Sequence, residues 1–302
     1  MLDQVKPPPE AGSNIEIRCK ELGSTGVLVP EIGTGTYVYK GTSKLLRQAI
    51  DLGATFVDTA EYYENEEVVG RAIKEIRDRV FVATKTHHWK YQQVLQSAES
   101  SLRRLGIDTI DLYQVHWPNA AVPIEETMSA MEELVQQGKV RFVGLSNFTV
   151  PEFKRAQAAL KKIKIVSNQM RYSIVDRTVE VDVLPFCRST GVTLIAYSPL
   201  GHCFQKVLAA DRNVVLNRIS HVTGKSPAQI ALNWCIAKAG VIAIPKTESA
   251  MHLEENCRSS DWRLSEDQIA ELDRGLRFER RSRVAVAMRR FVRRFLQKAR
   301  GR

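Results

Sequence analysis

The chain has 302 residues, 44% of them hydrophobic and 26% charged, with a formal net charge of +10. That length suits one barrel-sized unit of roughly 250 residues, and no apolar run approaches the ~18 residues that span a bilayer. The charge is local: Glu279 to Arg302 holds ten Lys or Arg against one Glu, a net of +9, so the body before it is nearly neutral and makes no electrostatic case for nucleic acid.

Residues 1–14 are Pro-rich and polar and read as a disordered leader without an apolar signal core. The five cysteines, Cys19, Cys187, Cys203, Cys235 and Cys257, have neither metal-site nor redox spacing, so reduced thiols and a cytoplasmic location are expected. Around the turn Leu22–Gly23–Ser24–Thr25–Gly26 the pattern predicts a β-hairpin. From Glu31, β-branched runs alternate with longer helical patterns. Strands are expected at 31–37, 55–60, 80–85, 110–117, 140–147, 165–170, 193–200 and 241–246. Between them, Val94, Leu95, Ala98, Leu102 and Leu105 share one helical face over 91–105. Ile124, Met128, Met131 and Leu134 do the same over 123–137. Gly53, Gly106, Gly138 and Gly191 stand where helices should stop. The crossover 201–240 has room for two helices.

Eight strands separated by helices imply a parallel sheet, and eight units favour a closed (β/α)8 barrel of the TIM type, expected over 15–275. Such barrels carry their active sites at the C-terminal ends of the strands. There the sequence delivers Asp58 and Tyr63, then Lys85, His116, Ser146–Asn147, Asn168–Gln169, Tyr197–Ser198 and Lys246. Each has an ordinary explanation. Asp58 suits a helix cap, Lys85 a snorkelling stem, His116 a satisfied core imidazole, Tyr63 a loop aromatic. Four complementary groups at consecutive strand ends make a better reading together: a proton-donating site. An ammonium near a phenol is expected to lower the phenol's pKa from ~10. Asp58 would hold Lys85, and His116 would orient a substrate oxygen. With no nucleophile pair and no metal cluster, such a site needs a separate electron source, such as a hydride-donating cofactor.

These stretches resemble the aldo-keto reductases. The resemblance rests on Asp58 to Glu66 (DTAEYYENE), Ala83–Thr84–Lys85, Asp111 to Pro118 (DLYQVHWP) and Gly144 to Phe148 (GLSNF). It continues through Asn168–Gln169, Ala196 to Leu200 (AYSPL) and Ile244–Pro245–Lys246. It runs from about residue 16 to 275. It implies an NADPH-dependent reduction of aldehydes or ketones, with NADH the second cofactor and no metal. Asp58, Tyr63, Lys85 and His116 would form a catalytic tetrad with Tyr63 as proton donor. Tyr197 would stack on the nicotinamide, with its carboxamide held by Ser146, Asn147 and Gln169. Gly35, Thr36, Ser198 and Leu200 would also line the cofactor. Lys246, Thr247 and His252 would take the 2′-phosphate, and Glu255 and Asn256 the adenine. Tyr37, Trp89, Trp117 and the loop 201–205 would shape the pocket. The resemblance accounts for the lack of a GxGxxG motif, because this family binds its cofactor extended across the barrel mouth. Three positions depart from common family usage: His252 where Arg is frequent, Tyr37 where Trp is frequent and Glu64 where Gly is frequent.

Residues 276–302 form a third expected unit. Val284, Met288, Phe291, Val292 and Phe295 recur at helical spacing among Arg289, Arg290, Arg293 and Arg294. This basic amphipathic pattern suits packing on the barrel, peripheral contact with anionic membrane, or binding of nucleic acid or an acidic partner. A monomer is expected. The competing readings are a cofactor-sensing regulatory subunit docked through this tail, and a polyol or sugar dehydrogenase running oxidatively.

Overall fold

The structure, a computed structural model, describes residues 15–212 and 214–280. The leader 1–14 and most of the basic segment, 281–302, lie outside the described residues. Cys19–Glu21 (β1) and Leu28–Pro30 (β2) pair antiparallel as the expected hairpin. Eight parallel strands follow: Thr34–Gly35 (β3), Phe56–Asp58 (β4), Phe81–Thr86 (β5), Ile110–Val115 (β6), Val140–Ser146 (β7), Ile165–Arg171 (β8), Thr193–Tyr197 (β9) and Val241–Ile244 (β10).

The first barrel strand is much shorter than the run 31–37. Its remaining links are made to β10 rather than within a regular ladder. Gly33 N–H donates to Ala243 O (2.9 Å), Ala243 N–H to Glu31 O (2.8 Å) and Gly35 N–H to Pro245 O (3.0 Å). These bonds close the barrel. A Cβ on Gly35 would lie 2.8 Å from Ile244 O, so the seam needs a residue without one.

Helices Ser43–Asp51 (α1), Glu66–Ile73 (α2), Tyr91–Leu105 (α3), Ile124–Gln136 (α4), Val150–Ala159 (α5) and Val183–Thr190 (α6) separate the strands. The apolar faces read over 91–105 and 123–137 pack on the core in α3 and α4, buried except for Leu95 and Ile124, which are partly buried. Gly106 ends α3 and Gly191 ends α6, each at φ +65°. The last crossover holds three helices rather than two: Phe204–Ala210 (α7), Val215–Thr223 (α8) and Pro227–Ile236 (α9). α7 is seven residues long and buries little besides Val207, too short to show a repeat. Ala250–Cys257 (α10) and Glu266–Gly275 (α11) follow β10.

Strand alternation sorts the core into two layers. Val57, Val82, Tyr113, Leu194 and Val241 point outward to the helices. Phe56, Phe81, Leu112, Ile195 and Ile242 point inward, where they meet Leu22 and Val29 of the hairpin. The hairpin thus plugs the N-terminal end of the barrel. Among the described residues, no helix is long and apolar enough to cross a membrane. No group of His, Cys, Asp and Glu there is arranged to hold a metal ion. All five cysteines are free thiols.

Candidate active site

The inward face continues upward with a change of chemistry. Two residues past Phe56 stands Asp58, two past Ala83 stands Lys85, and two past Leu112 stands Gln114. The register pairs Asp58 with Ala83 and Lys85 with Gln114. Lys85 Nζ lies 2.6 Å from Asp58 Oδ1 and donates also to Thr59 O (2.7 Å). Both partners are buried, Lys85 completely. The other carboxylate oxygen accepts from Gln169 Nε2 (2.7 Å) and Gln114 Nε2 (3.3 Å). Gln114 was not among the expected site residues, although its parity with Leu112 and His116 would have found it. Gly144, opposite Gln114, leaves the space: a Cβ there would meet Ser167 Oγ at 2.4 Å.

Tyr63 enters from the 3₁₀ turn Glu61–Tyr63. Its hydroxyl is 3.5 Å from both Lys85 Nζ and His116 Nε2. The four side chains expected to converge therefore meet at one mouth. Tyr62, the neighbour, is exposed. The ammonium does not lower the phenol's pKa as expected. Burial pushes the Tyr63 phenol well up, and the Asp58 charge adds to it. Lys85 sits closer to Asp58 than to Tyr63, and burial holds its own pKa below the ordinary lysine value despite Asp58. The tyrosine thus keeps its proton through the neutral range.

A second cluster flanks the first. Tyr197 donates its hydroxyl to Asn147 Oδ1 (2.9 Å). Asn147 Nδ2 donates to Ser146 Oγ (2.9 Å) and His116 O (3.2 Å), and Ser146 Oγ to Gln169 O (3.1 Å). Ser198 follows at φ +50°, with Leu200 half-buried behind it. Thr36 is buried and its hydroxyl is engaged by Asp58 O and Asn65 Oδ1. At the end of β10, Lys246 pairs with Glu248 (2.6 Å), and Ser249 N–H donates to Thr247 Oγ1 (3.1 Å). His252 is exposed in the first turn of α10. Glu255 accepts from Ser226 Oγ, and Asn256 is buried.

Aromatic residues rim the opening. Tyr37 is exposed, with its ring 5.1 Å from that of Tyr63. Trp89 donates its indole N–H to Trp117 O (2.8 Å), and Trp117 lies beside His116. His87, absent from the expected set, places its ring 5.8 Å from His116 and 5.1 Å from Tyr62. Glu61 fixes this loop by accepting from His87 N–H and Ser97 Oγ. No sequence signal marks either residue, because both act through contacts made only on folding. Glu64 sits at φ +55°, a left-handed conformation in which Gly would be unstrained, and this accounts for the frequency of Gly noted there.

A model of the Aldo/keto reductase family matches residues 30–276. The chain belongs to the aldo/keto reductase family. It is similar to the methylglyoxal reductase YeaE of Escherichia coli (strain K12), 36% identical over 263 residues that cover 83% of this chain and 92% of that protein. Its fold matches the thermostable aldo-keto reductase Tm1743, solved with the inhibitor epalrestat, with TM-score 0.80 and 40% identity over 85% of this chain and 99% of that one. An aldo-keto reductase from Klebsiella pneumoniae solved with NADPH matches with TM-score 0.77 and 33% identity, over 88% and 97%. In this aldo/keto reductase the matched residues run from the last residue of β2 to just past α11 and take in all eight barrel strands.

Proposed function

We propose that the chain reduces the carbonyl group of small aldehydes or ketones with NADPH, and that Asp58, Tyr63, Lys85 and His116 carry the reaction. The observation behind this reading is that an ammonium and an imidazole each lie 3.5 Å from one phenol oxygen at the barrel mouth. NADPH, when bound, supplies the hydride. Tyr63 holds a proton that it gives up only to a base stronger than phenolate, such as the alkoxide oxygen that forms as hydride reaches carbon. His116 and Tyr63 bracket that oxygen. Lys85, held by Asp58, offsets the phenolate left behind.

The donor set suits the cofactor. The cation Lys246 and the hydroxyl of Thr247 fit a 2′-phosphate, with His252 beside them. Ser146, Asn147 and Gln169 offer amide and hydroxyl groups around the Tyr197 ring, which fits a flat carboxamide-bearing ring. Gly35, Thr36, Ser198 and Leu200 would line the cofactor's path, and Glu255 and Asn256 the adenine. Tyr37, Trp89 and Trp117 would wall the substrate. The methylglyoxal reductase relative makes methylglyoxal the first substrate to try.

A monomer is our reading of the assembly, since the four reacting side chains meet within one barrel. Contact of 280–302 with anionic membrane is supported by the sequence pattern alone. Comparing liposome pelleting of the full chain with that of a version ending at Phe278 tests it, and equal pelleting would remove the idea. For the activity, NADPH consumption by the purified protein with methylglyoxal and an aromatic aldehyde is the direct assay. Cofactor binding without turnover of any carbonyl would favour the sensing role instead.

A further inference from the structure

Above the barrel seam, one carboxylate is paired with the cation assigned to a phosphate. Gly33 and Gly35 bond to Ala243 and Pro245 along the join of β3 and β10. The next link upward is made by a side chain: Lys40 N–H donates to Glu248 Oε1 (3.0 Å). The same oxygen lies 2.6 Å from Lys246 Nζ. The Lys246 ammonium and the Lys40 amide hold the Glu248 carboxyl below the usual carboxylate range, so it is charged at neutral pH. Lys246 and Glu248 are each about one-third exposed, at 32% and 38%, so the pair is partly screened. No part of the proton-transfer site calls for an acid here, and a carboxylate two residues from a phosphate-binding cation opposes that cation's task.

We propose that Glu248 is a built-in competitor for the cofactor's 2′-phosphate: it neutralises Lys246 in the free protein and must yield that cation to NADPH, so it sets how strongly the chain prefers NADPH to NADH. This rests on the assignment of Lys246 to the 2′-phosphate. NADH carries no such phosphate, leaves the Lys246–Glu248 pair in place and gains nothing from its removal. The bond to Lys40 gives the carboxylate a second anchor, which keeps it beside the site when Lys246 turns away and maintains its repulsion of the bound phosphate.

The test is the binding of NADPH and NADH, measured by quenching of tryptophan fluorescence, in the full chain and in Glu248→Gln and Lys246→Met. Glutamine removes the charge and keeps an oxygen for Lys40 N–H. Glu248→Gln is expected to tighten NADPH binding about two- to fivefold, the range set by a partly exposed ion pair, and to leave NADH within about 1.5-fold. Unchanged or weaker NADPH binding, or an equal change for both cofactors, overturns the proposal. Lys246→Met separates the two readings. If it abolishes the preference for NADPH while Glu248→Gln moves nothing, only the competitor role falls. If it leaves the preference intact, the phosphate assignment itself falls.

Discussion

The interior of this barrel is built twice from the same strands. Its N-terminal half is hydrocarbon: Phe56 stacks on Phe81 (centroids 5.3 Å apart), with Leu112, Ile195, Ile242 and the hairpin's Leu22 packed around them. Further along the same strands, two residues past Phe56, Ala83 and Leu112, the inward positions become Asp58, Lys85 and Gln114, equally buried but charged or polar. Backbone strain follows the same division. Four of the five non-Gly residues at positive φ among the described residues, Val38, Glu64, Asn147 and Ser198, lie in the loops or strand ends of the mouth; the fifth, Val214, caps α8, and no inward residue of the lower half is among them. The lower layer stabilises. The upper layer spends stability on preorganised polar groups and depends on the lower one to hold the strands in place.

The largest effect should come from one oxygen atom. Tyr63→Phe is expected to lower kcat by about 10³-fold or more while NADPH affinity stays within about twofold, as read by steady-state kinetics and fluorescence titration. A large loss of cofactor affinity would count against Tyr63 as proton donor. Lys85→Met strands the buried Asp58 charge and should cost about 3–5 kcal/mol in urea unfolding. The double change Asp58→Asn with Lys85→Met should regain most of that stability without regaining activity. A double variant as unstable as the single would mean that the upper layer is held by something other than charge pairing. In the lower layer Phe81→Ala should cost a similar amount, about 3–5 kcal/mol, yet leave measurable turnover in the folded fraction. That contrast is the sharpest separation of the two layers.

Smaller effects refine it. Burial pushes the phenols of Tyr63, Tyr113 and Tyr172 up from their ordinary value near 10. Their folded pKa values exceed the unfolded ones, so the stability they contribute is complete below pH ~10 and is lost as pH rises beyond it. Tyr113→Phe should therefore flatten the alkaline fall in melting temperature, and an unchanged slope would remove Tyr113 from that account. Last, Glu64→Gly relieves a left-handed residue and should raise stability by about 1 kcal/mol in urea unfolding.

Much of the fold was legible beforehand because strand ends and helix stops carry local chemistry. Gly106 and Gly191 stop α3 and α6 where expected. The strand-end positions of Asp58, Lys85 and His116 follow from the length of each β-branched run. The short β3 and the extra helix α7 were less visible, since a two-residue strand and a seven-residue helix leave no period to read. His87 and Glu61 meet across 26 positions and Glu248 reaches Lys40 across 208, separations that leave no local pattern, and the short spacing of Glu248 from Lys246 carries no signal of its own.

The sequence by itself determined that eight strand–helix units alternate and that a carboxylate, a phenol, an ammonium and an imidazole fall at their ends. Those are properties of spacing and residue type, which survive without a fold. Only the tertiary structure decided that Gln114 and Gln169 share Asp58, that Glu248 occupies Lys246, and that burial outweighs the nearby ammonium at Tyr63. Hydrogen-bond partners and desolvation depend on which atoms surround a group in space, and closing the barrel is what assembles those surroundings.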